Sequence, residues 1–478
     1  MAVTDHSILP KTPAGEMLAL WLDAVNSGDF ETIRRFISES HTAAALATRN
    51  ARQRAAARVR TWTNTRGLTA RRIVASKPHA LNALLFGNLA EDWWNVRIEV
   101  EPDPPHHVKS LSLSPAAAPD DLREGGPLSP PEIAERLDAY TAKLADADIF
   151  SGAYLLARNG EVLTAGARGL ASRAWKVPNT VQTRFNLGSC NKMFTSVAIL
   201  QQIESGRIAL DDRIGGILPD YPNEDVAANV TIRHLLTHTS GLGSFFNQQF
   251  AGASRARFRK VADYTPLYER EPLEFRPGAR FSYSNSGMML LGVILEKVTG
   301  GDYFEYIRER IYGPAGMTRS DSYDLDADEA DIAVGYTSTG ADGGHQSGPR
   351  RSNVFTHIAK GSPAGGGFST VEDMLRFDQA LRGNVLLKPE TTALMLTPQA
   401  STDFDPSVKI GYGVFLEESA GKRIAGHSGV FAGVNSQLDM HLDTGFTAVI
   451  LSNYDPPAAK RVAHKVREWV AGGVMNDE

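Results

Sequence analysis

The stretch PAGEMLALWLDAVNSGDFETIRRFI, residues 13–37, repeats apolar positions at helical spacing, with Met17, Leu18, Trp21, Leu22 and Val25 on one face. Gly28 ends that run and Asp29 is placed to cap a second helix; a third is expected across RNARQRAAARVRTW. The period then changes. ARRIVASK, ALNALLFG, WWNVRIEVE and HVKSLSLS are short β-rich runs between turns and predict a meander of strands. These elements make a small α+β domain over residues 1–113. Residues 114–130, rich in Pro, Gly and Asp, read as a linker. Residues 131–478 form a second domain. It opens with a helix at PEIAERLDAYTAKLAD and a hairpin, GAYLLAR and EVLTAGA, joined by Asn159-Gly160, two residues that accept positive φ. Residues 189–205 are helical, and roughly 207–405 alternate helices with long loops bearing Gly and Pro. Strands return at GVFLEES, KRIAGHS, VNSQLDMHL and TAVILSN, and the helix PAAKRVAHKVREWVAG closes the chain. Strands near both ends of this domain around a helical middle predict one sheet of sequence-distant strands with helices packed on it, an α/β (α+β) class.

Composition narrows the partners. The 478 residues are 42% hydrophobic and 22% charged, with a net charge of -5 and a pI of about 6.2. That balance gives no electrostatic case for nucleic acid or an anionic membrane surface. No run approaches the ~18 apolar residues of a membrane span. The single cysteine, Cys190, excludes an internal disulfide. His234 and His238 stand four apart in HLLTH, but the glutamate of H-E-x-x-H is absent, so neither a metal nor a cofactor is expected. The first residues lack a basic segment followed by an apolar one. The chain as it starts is expected to be cytoplasmic, or periplasmic or secreted if a leader has been removed.

Chemistry concentrates in three places. In FNLGSCNKMF, Gly188 allows a tight turn, Ser189 stands at the head of a helix, and Lys192 lies one turn on, within reach of the serine hydroxyl. An exposed lysine is a poor base at neutral pH, whereas burial frees its amine to accept a proton. An N-cap serine followed by a surface lysine would give the same decapeptide. In FSYSNSG, Tyr283 could be held as phenolate beside Lys192, and Asn285 offers both a donor and an acceptor to the lysine amine or a substrate carbonyl. In AGHSGVFAGVNS, His427, Ser428 and Gly429 sit where a strand would border a cleft, the glycine letting backbone approach a ligand. The amide of Val430 is placed to pair with that of Ser189 as an oxyanion hole. A second S-x-x-K, Ser419 to Lys422, falls in a turn without such context.

S-x-x-K, then Y-x-N, then an [HKW]-x-G strand, in that order, resembles the serine β-lactamase and penicillin-binding-protein superfamily. The class C-like branch, with its family VIII carboxylesterases and D-aminopeptidases, is the most similar part. The segments GRIALDDRIGGILPDYP, VTIRHLLTHTSGL, FRPGARFSYSNSG, PAGGGFSTVEDMLRFDQAL and GYGVF carry the resemblance across about residues 130–475. It implies a β-lactamase-like fold, an antiparallel sheet flanked by helices beside a largely helical subdomain. It further implies Ser189 as the acylated nucleophile, Lys192 and Tyr283 sharing the base role, and Asn285 positioning Lys192 and substrate. Ser189 and Val430 would be the oxyanion amides, with Ser428 and Gly429 beside the substrate. The third motif departs from the usual Lys-Thr-Gly: at that position His427 is a weaker carboxylate anchor, which favours neutral esters or amides over β-lactams. The expected substrate is a small-molecule ester. A D-amino-acid peptide, a β-lactam or acyl transfer to another acceptor is the alternative, and a non-catalytic acyl-binding protein is the third reading. The element order of the N-terminal domain is similar to the NTF2-like cone; that domain is open to covering the cleft, pairing two copies as a homodimer, or binding a partner.

Overall fold

The computed structural model describes residues 6–116, 118–122, 128–338 and 349–472. The chain divides into two compact units near residue 125. In the first, α1 (Pro13–Asn26), α2 (Phe30–Ser40), α3 (Ala43–Thr48) and α4 (Ala51–Thr65) precede β1 (Leu68–Lys77), β2 (Ala80–Gly87), β3 (Trp93–Val100) and β4 (Val108–Ala116). The four strands pair antiparallel in sequence order. Each helix begins on a side-chain cap: Thr12, Asp29, Thr42 and Asn50 accept backbone N–H groups that the first turn leaves unpaired. Leu18, Trp21, Leu22 and Val25 of α1 pack into one core with Leu81, Ala83, Leu85, Val96 and Ile98. The alternate residues of β2 and β3 face away from it, as the pleat requires.

Two features differ from the sequence expectation. The short helix α3, AAALAT, is too brief for a period to show. β4 continues through Ala116, with Ser114 opposite Asn95 and Pro115 opposite Trp94, so the strand runs three residues into the segment expected as linker.

The second unit is built on an eight-stranded antiparallel sheet. After α5 (Pro130–Asp146) come β5 (Gly152–Arg158) and β6 (Glu161–Arg168); near the other end of the chain come β7 (Ala400–Ser401), β8 (Lys409–Ile410), β9 (Phe415–Ser419), β10 (Lys422–Phe431), β11 (Val434–His441) and β12 (Phe446–Ser452). The order is β7-β8-β9-β10-β11-β12-β5-β6. The N-terminal hairpin therefore docks on the last strand, with Ser452 opposite Gly152 and Phe446 opposite Arg158.

Strands β5, β11 and β12 are buried on both faces; β5 and β12 are largely apolar to match, while β11 alternates apolar Val434, Leu438 and Met440 with buried polar residues such as Asn435, Gln437 and Asp439. Leu155, Val449 and Leu451 join the main core with Phe194, Val197 and Leu290. Those last three belong to α6 (Asn191–Glu204) and α7 (Asn285–Thr299). The other face is closed by α5 and by the final helix, which we call α8 (Ala458–Ala471). From Asn191 to Leu200, α6 has no exposed residue, so the helix that carries the lysine is enclosed on all sides. Among the described residues no helix is long and apolar enough to cross a membrane.

Candidate active site

Two glycines set the geometry. Gly188, with φ +49, opens a single 3-10 turn through Cys190 that leads into α6. A β-carbon on Gly188 would lie 3.0 Å from Gly429 Cα and 3.1 Å from Val430 N. One on Gly429 would lie 2.0 Å from the Leu187 carbonyl oxygen and 2.3 Å from Ser436 Oγ. The edge of β10 therefore presses directly onto the serine turn, and the peptides bearing the Ser189 and Val430 amides are neighbours. This revises the expectation for Gly429. What its missing side chain admits is the Leu187 carbonyl, while Ser428 and Val430 border the cavity. Gly429→Ala is expected to cost about 1–3 kcal/mol of stability by overpacking and to lower turnover by parting the two amides; melting temperature and initial rate together check it.

Lys192 is fully buried. Its Nζ donates to Ser189 Oγ at 3.0 Å and also to the Ala364 carbonyl. Desolvation pushes its pKa down from the ordinary 10.5 to about 7. The amine is thus part neutral at neutral pH. With one N–H held by Ala364, its lone pair is free to take the serine proton.

Ala364 has no motif to announce it, because a backbone carbonyl leaves no mark in the sequence. The signal lies in the glycines after it. Gly365 has φ +152, and a β-carbon there would meet the Gly188 carbonyl oxygen at 2.8 Å. The Gly366 N–H donates to that same oxygen at 3.1 Å. The loop can lie this close only without side chains.

Tyr283 borders the cavity with Ser189. Burial raises its phenol well above the ordinary value, although a hydrogen bond with the Ser189 side chain opposes the rise. Lys192 Nζ lies 5.0 Å from the centroid of the ring, over its face. The expected phenolate is therefore not the resting form; Tyr283 is a neutral phenol beside the serine.

Two histidines flank it. His238, with φ +54, is buried with its ring 4.5 Å from that of Tyr283. Its Nδ1 accepts the Ser284 N–H at 3.2 Å, which puts the ring proton on Nε2. Sequence reasoning missed this residue, because HLLTH was weighed only as a metal pair. The partner, His234, instead accepts the Thr231 N–H at the start of its own short helix. His427 donates from Nδ1 to the Ser428 carbonyl at 2.6 Å, leaving Nε2 as a buried acceptor without a partner. Burial, then the nearby Lys192, holds its pKa down at about 3. Burial does the same to His238, with Lys192 and His427 adding to it. Both imidazoles are neutral across the physiological range.

Asn285 heads α7 and borders the cavity, but its amide donates to Ser244 Oγ at 3.2 Å. The lysine amine is held by Ser189 and Ala364 instead, which corrects the expected Asn285–Lys192 contact. Cys190, beside the nucleophile, is buried and pushed up to about 12; its Sγ lies 3.1 Å from the His427 carbonyl oxygen, which it bonds as a donor.

Ser189, Tyr283, Asn285, Ala364 and His427 border a cavity of about 430 Å³. Phe245, Phe246, Phe404, Phe415 and Phe431 supply its aromatic wall. Among the described residues Lys460 is the only lining side chain with an ordinary formal charge at neutral pH, and no carboxylate lines the cavity.

A serine turn at a helix head, a desolvated lysine one turn on and a strand edge across the cleft define a serine hydrolase of the acyl-enzyme type. Residues 137–472 match the beta-lactamase family, and the chain belongs to that family. It is 30% identical over 327 residues to penicillin-binding protein 4* of Bacillus subtilis (strain 168), a match covering 67% of this chain and 71% of that protein. It is 31% identical over 291 residues to esterase EstB of Burkholderia gladioli, over 55% of this chain and 73% of that one. The crystal structure of a penicillin-binding protein from Bacillus halodurans superposes with a TM-score of 0.61 at 29% identity, over 70% of this chain and 97% of that one.

Proposed function

We propose that the protein hydrolyses neutral carboxylic esters through an acyl-enzyme on Ser189. The observation that carries this reading is the Lys192 amine, desolvated and 3.0 Å from Ser189 Oγ. As Ser189 Oγ attacks the ester carbonyl, Lys192 takes its proton. The oxyanion is met by the amides of Ser189 and Val430. The C–O bond then breaks, and the proton passes to the leaving alkoxide, with the neutral Tyr283 phenol as relay. Water attacks the acyl-enzyme, giving its proton to the same base; the bond from the carbonyl carbon to Ser189 Oγ then breaks, Oγ takes that proton back, and the acid leaves. One ester and one water become one acid and one alcohol. His427 Nε2, a bare acceptor at the strand edge, is suited to a donor on the substrate or on the attacking water.

The cavity wall favours this reading over a peptide with a free ammonium. A peptide with a free ammonium needs an anion in the cleft. The acidic residues of the SDSYDLDADE loop pair with cations instead, Asp321 with Arg308, and Asp324 and Asp326 with Arg259. Initial rates on p-nitrophenyl butyrate, D-alanine p-nitroanilide and nitrocefin test it. The butyrate is expected to turn over fastest by at least an order of magnitude; a faster D-alanine anilide would move the substrate class to peptides and overturn the ester reading.

A further inference from the structure

The cleft has two separate aromatic walls, and both extend out to solvent. Phe246 stacks on Phe431 with ring centroids 6.2 Å apart and also lies against Phe245. Phe404 meets Phe415 edge-on at 5.7 Å, and Phe415 lies 5.0 Å from His427. Their spacing follows from the strand that borders the site. Phe415 pairs with Gly426 at one end of the stretch, and Phe431 lies five residues further along β10. At about 3.3 Å per residue, the β10 backbone positions beside which the two walls sit are roughly 16 Å apart, with Ser428 and Gly429 between them. A second cavity of about 90 Å³ adjoins the Phe404 and Phe415 side and shares neither Phe246 nor Phe431.

The outer members of both walls are unusually wet for their type. Phe246 is 47% exposed and Phe404 60%, and Val430, on β10 between the walls, is 56% exposed. One exposed apolar side chain is ordinary, but three around the mouth of one catalytic cavity form a patch with a role.

Resting on the ester reading above, we infer that the substrate is an ester carrying extended apolar groups on both sides of the scissile carbonyl, one against Phe246 and Phe431, the other against Phe404 and Phe415. A short acyl or alcohol group would leave a wall bare, whereas each methylene laid on phenylalanine leaves water.

Two ester series test this: p-nitrophenyl esters from acetate to decanoate, which lengthen the acyl side, and butyrate esters from methyl to octyl and 1-naphthyl, which enlarge the alcohol side. In the wild type kcat/KM is expected to rise in both series, by at most about fourfold per buried methylene. Phe246→Ser and Phe404→Ser are each expected to flatten a different series, and Phe246→Leu and Phe404→Leu to restore much of the slope. Both positions are at the surface, so melting temperatures should stay near the wild type. A wild type that favours acetate and methyl esters would overturn the inference. So would variants that leave both slopes intact or flatten the same one. A wild type that turns over no ester of either series would instead bring down the ester reading itself, and turnover that survives Ser189→Ala would remove Ser189 from it, so these failures are distinct from that of the two-wall inference.

Discussion

Ser189→Ala is expected to lower p-nitrophenyl butyrate turnover by about a thousandfold or more, because members of a nucleophile–base unit fail together. The fold should not notice. The hydroxyl fills little volume, and Lys192 keeps its bond to the Ala364 carbonyl when the serine oxygen is gone. Melting temperature and circular dichroism should therefore match the wild type while the rate collapses. The intact protein should also gain the mass of one butyryl group at Ser189 under rapid quench, and the alanine variant none. Equal rates in the two proteins would remove Ser189 from the mechanism and with it the acyl-enzyme.

Lys192→Met should be equally inactive yet more stable, and the second effect is the more telling. The lysine has a folded pKa of about 7 against 10.5 when exposed. Between those values the unfolded chain holds a proton that the folded chain does not, so this group makes stability rise with pH from about 7 to about 10.5. Near pH 7 the cost of stripping and burying the amine is about 4 kcal/mol, an order-of-magnitude figure at about 1.4 kcal/mol per pKa unit. Methionine has similar length and no charge, so it removes that cost. Urea midpoints should show the variant a few kcal/mol more stable at pH 7, the gain shrinking by pH 9.5. The same amine must be neutral to act. Wild-type kcat/KM should thus fall about tenfold per pH unit below 7, with no inflection from His427, which is already neutral down to about pH 3. A methionine variant that is less stable at both pH values, or that still turns over, would sink this account of Lys192.

The fold was legible wherever period and turn chemistry agreed. The meander of β1–β4, the hairpin at Asn159-Gly160 and the four long C-terminal strands all stand where alternation and turn residues put them. The pairing of Ser189 with Lys192 was legible because three residues on one turn bring their side chains together, and Tyr283 stood out through its own short motif; the structure brings all three side chains to one place. What escaped depends on backbone placement. The Ala364 carbonyl reaches Lys192 through a glycine loop far along the chain. His238 reaches Tyr283 because a left-handed residue turns its ring inward, and Asn285 finds Ser244 across a turn. None of these contacts has a residue pattern, since each partner is chosen by tertiary structure.

The serine turn is wedged between two distant parts of the chain, the Gly365–Gly366 loop and Gly429 of a strand that belongs to the sheet closed by β12 against β5. Bringing segments so far apart in sequence together carries a loop-closure cost. The site is complete only when all of them have met. A nascent or nicked chain lacking β10 to β12 holds the nucleophile and the lysine but has no second amide and no cleft wall. On the proposed mechanism, Ser189 therefore gains its oxyanion site only when β10 has closed on it.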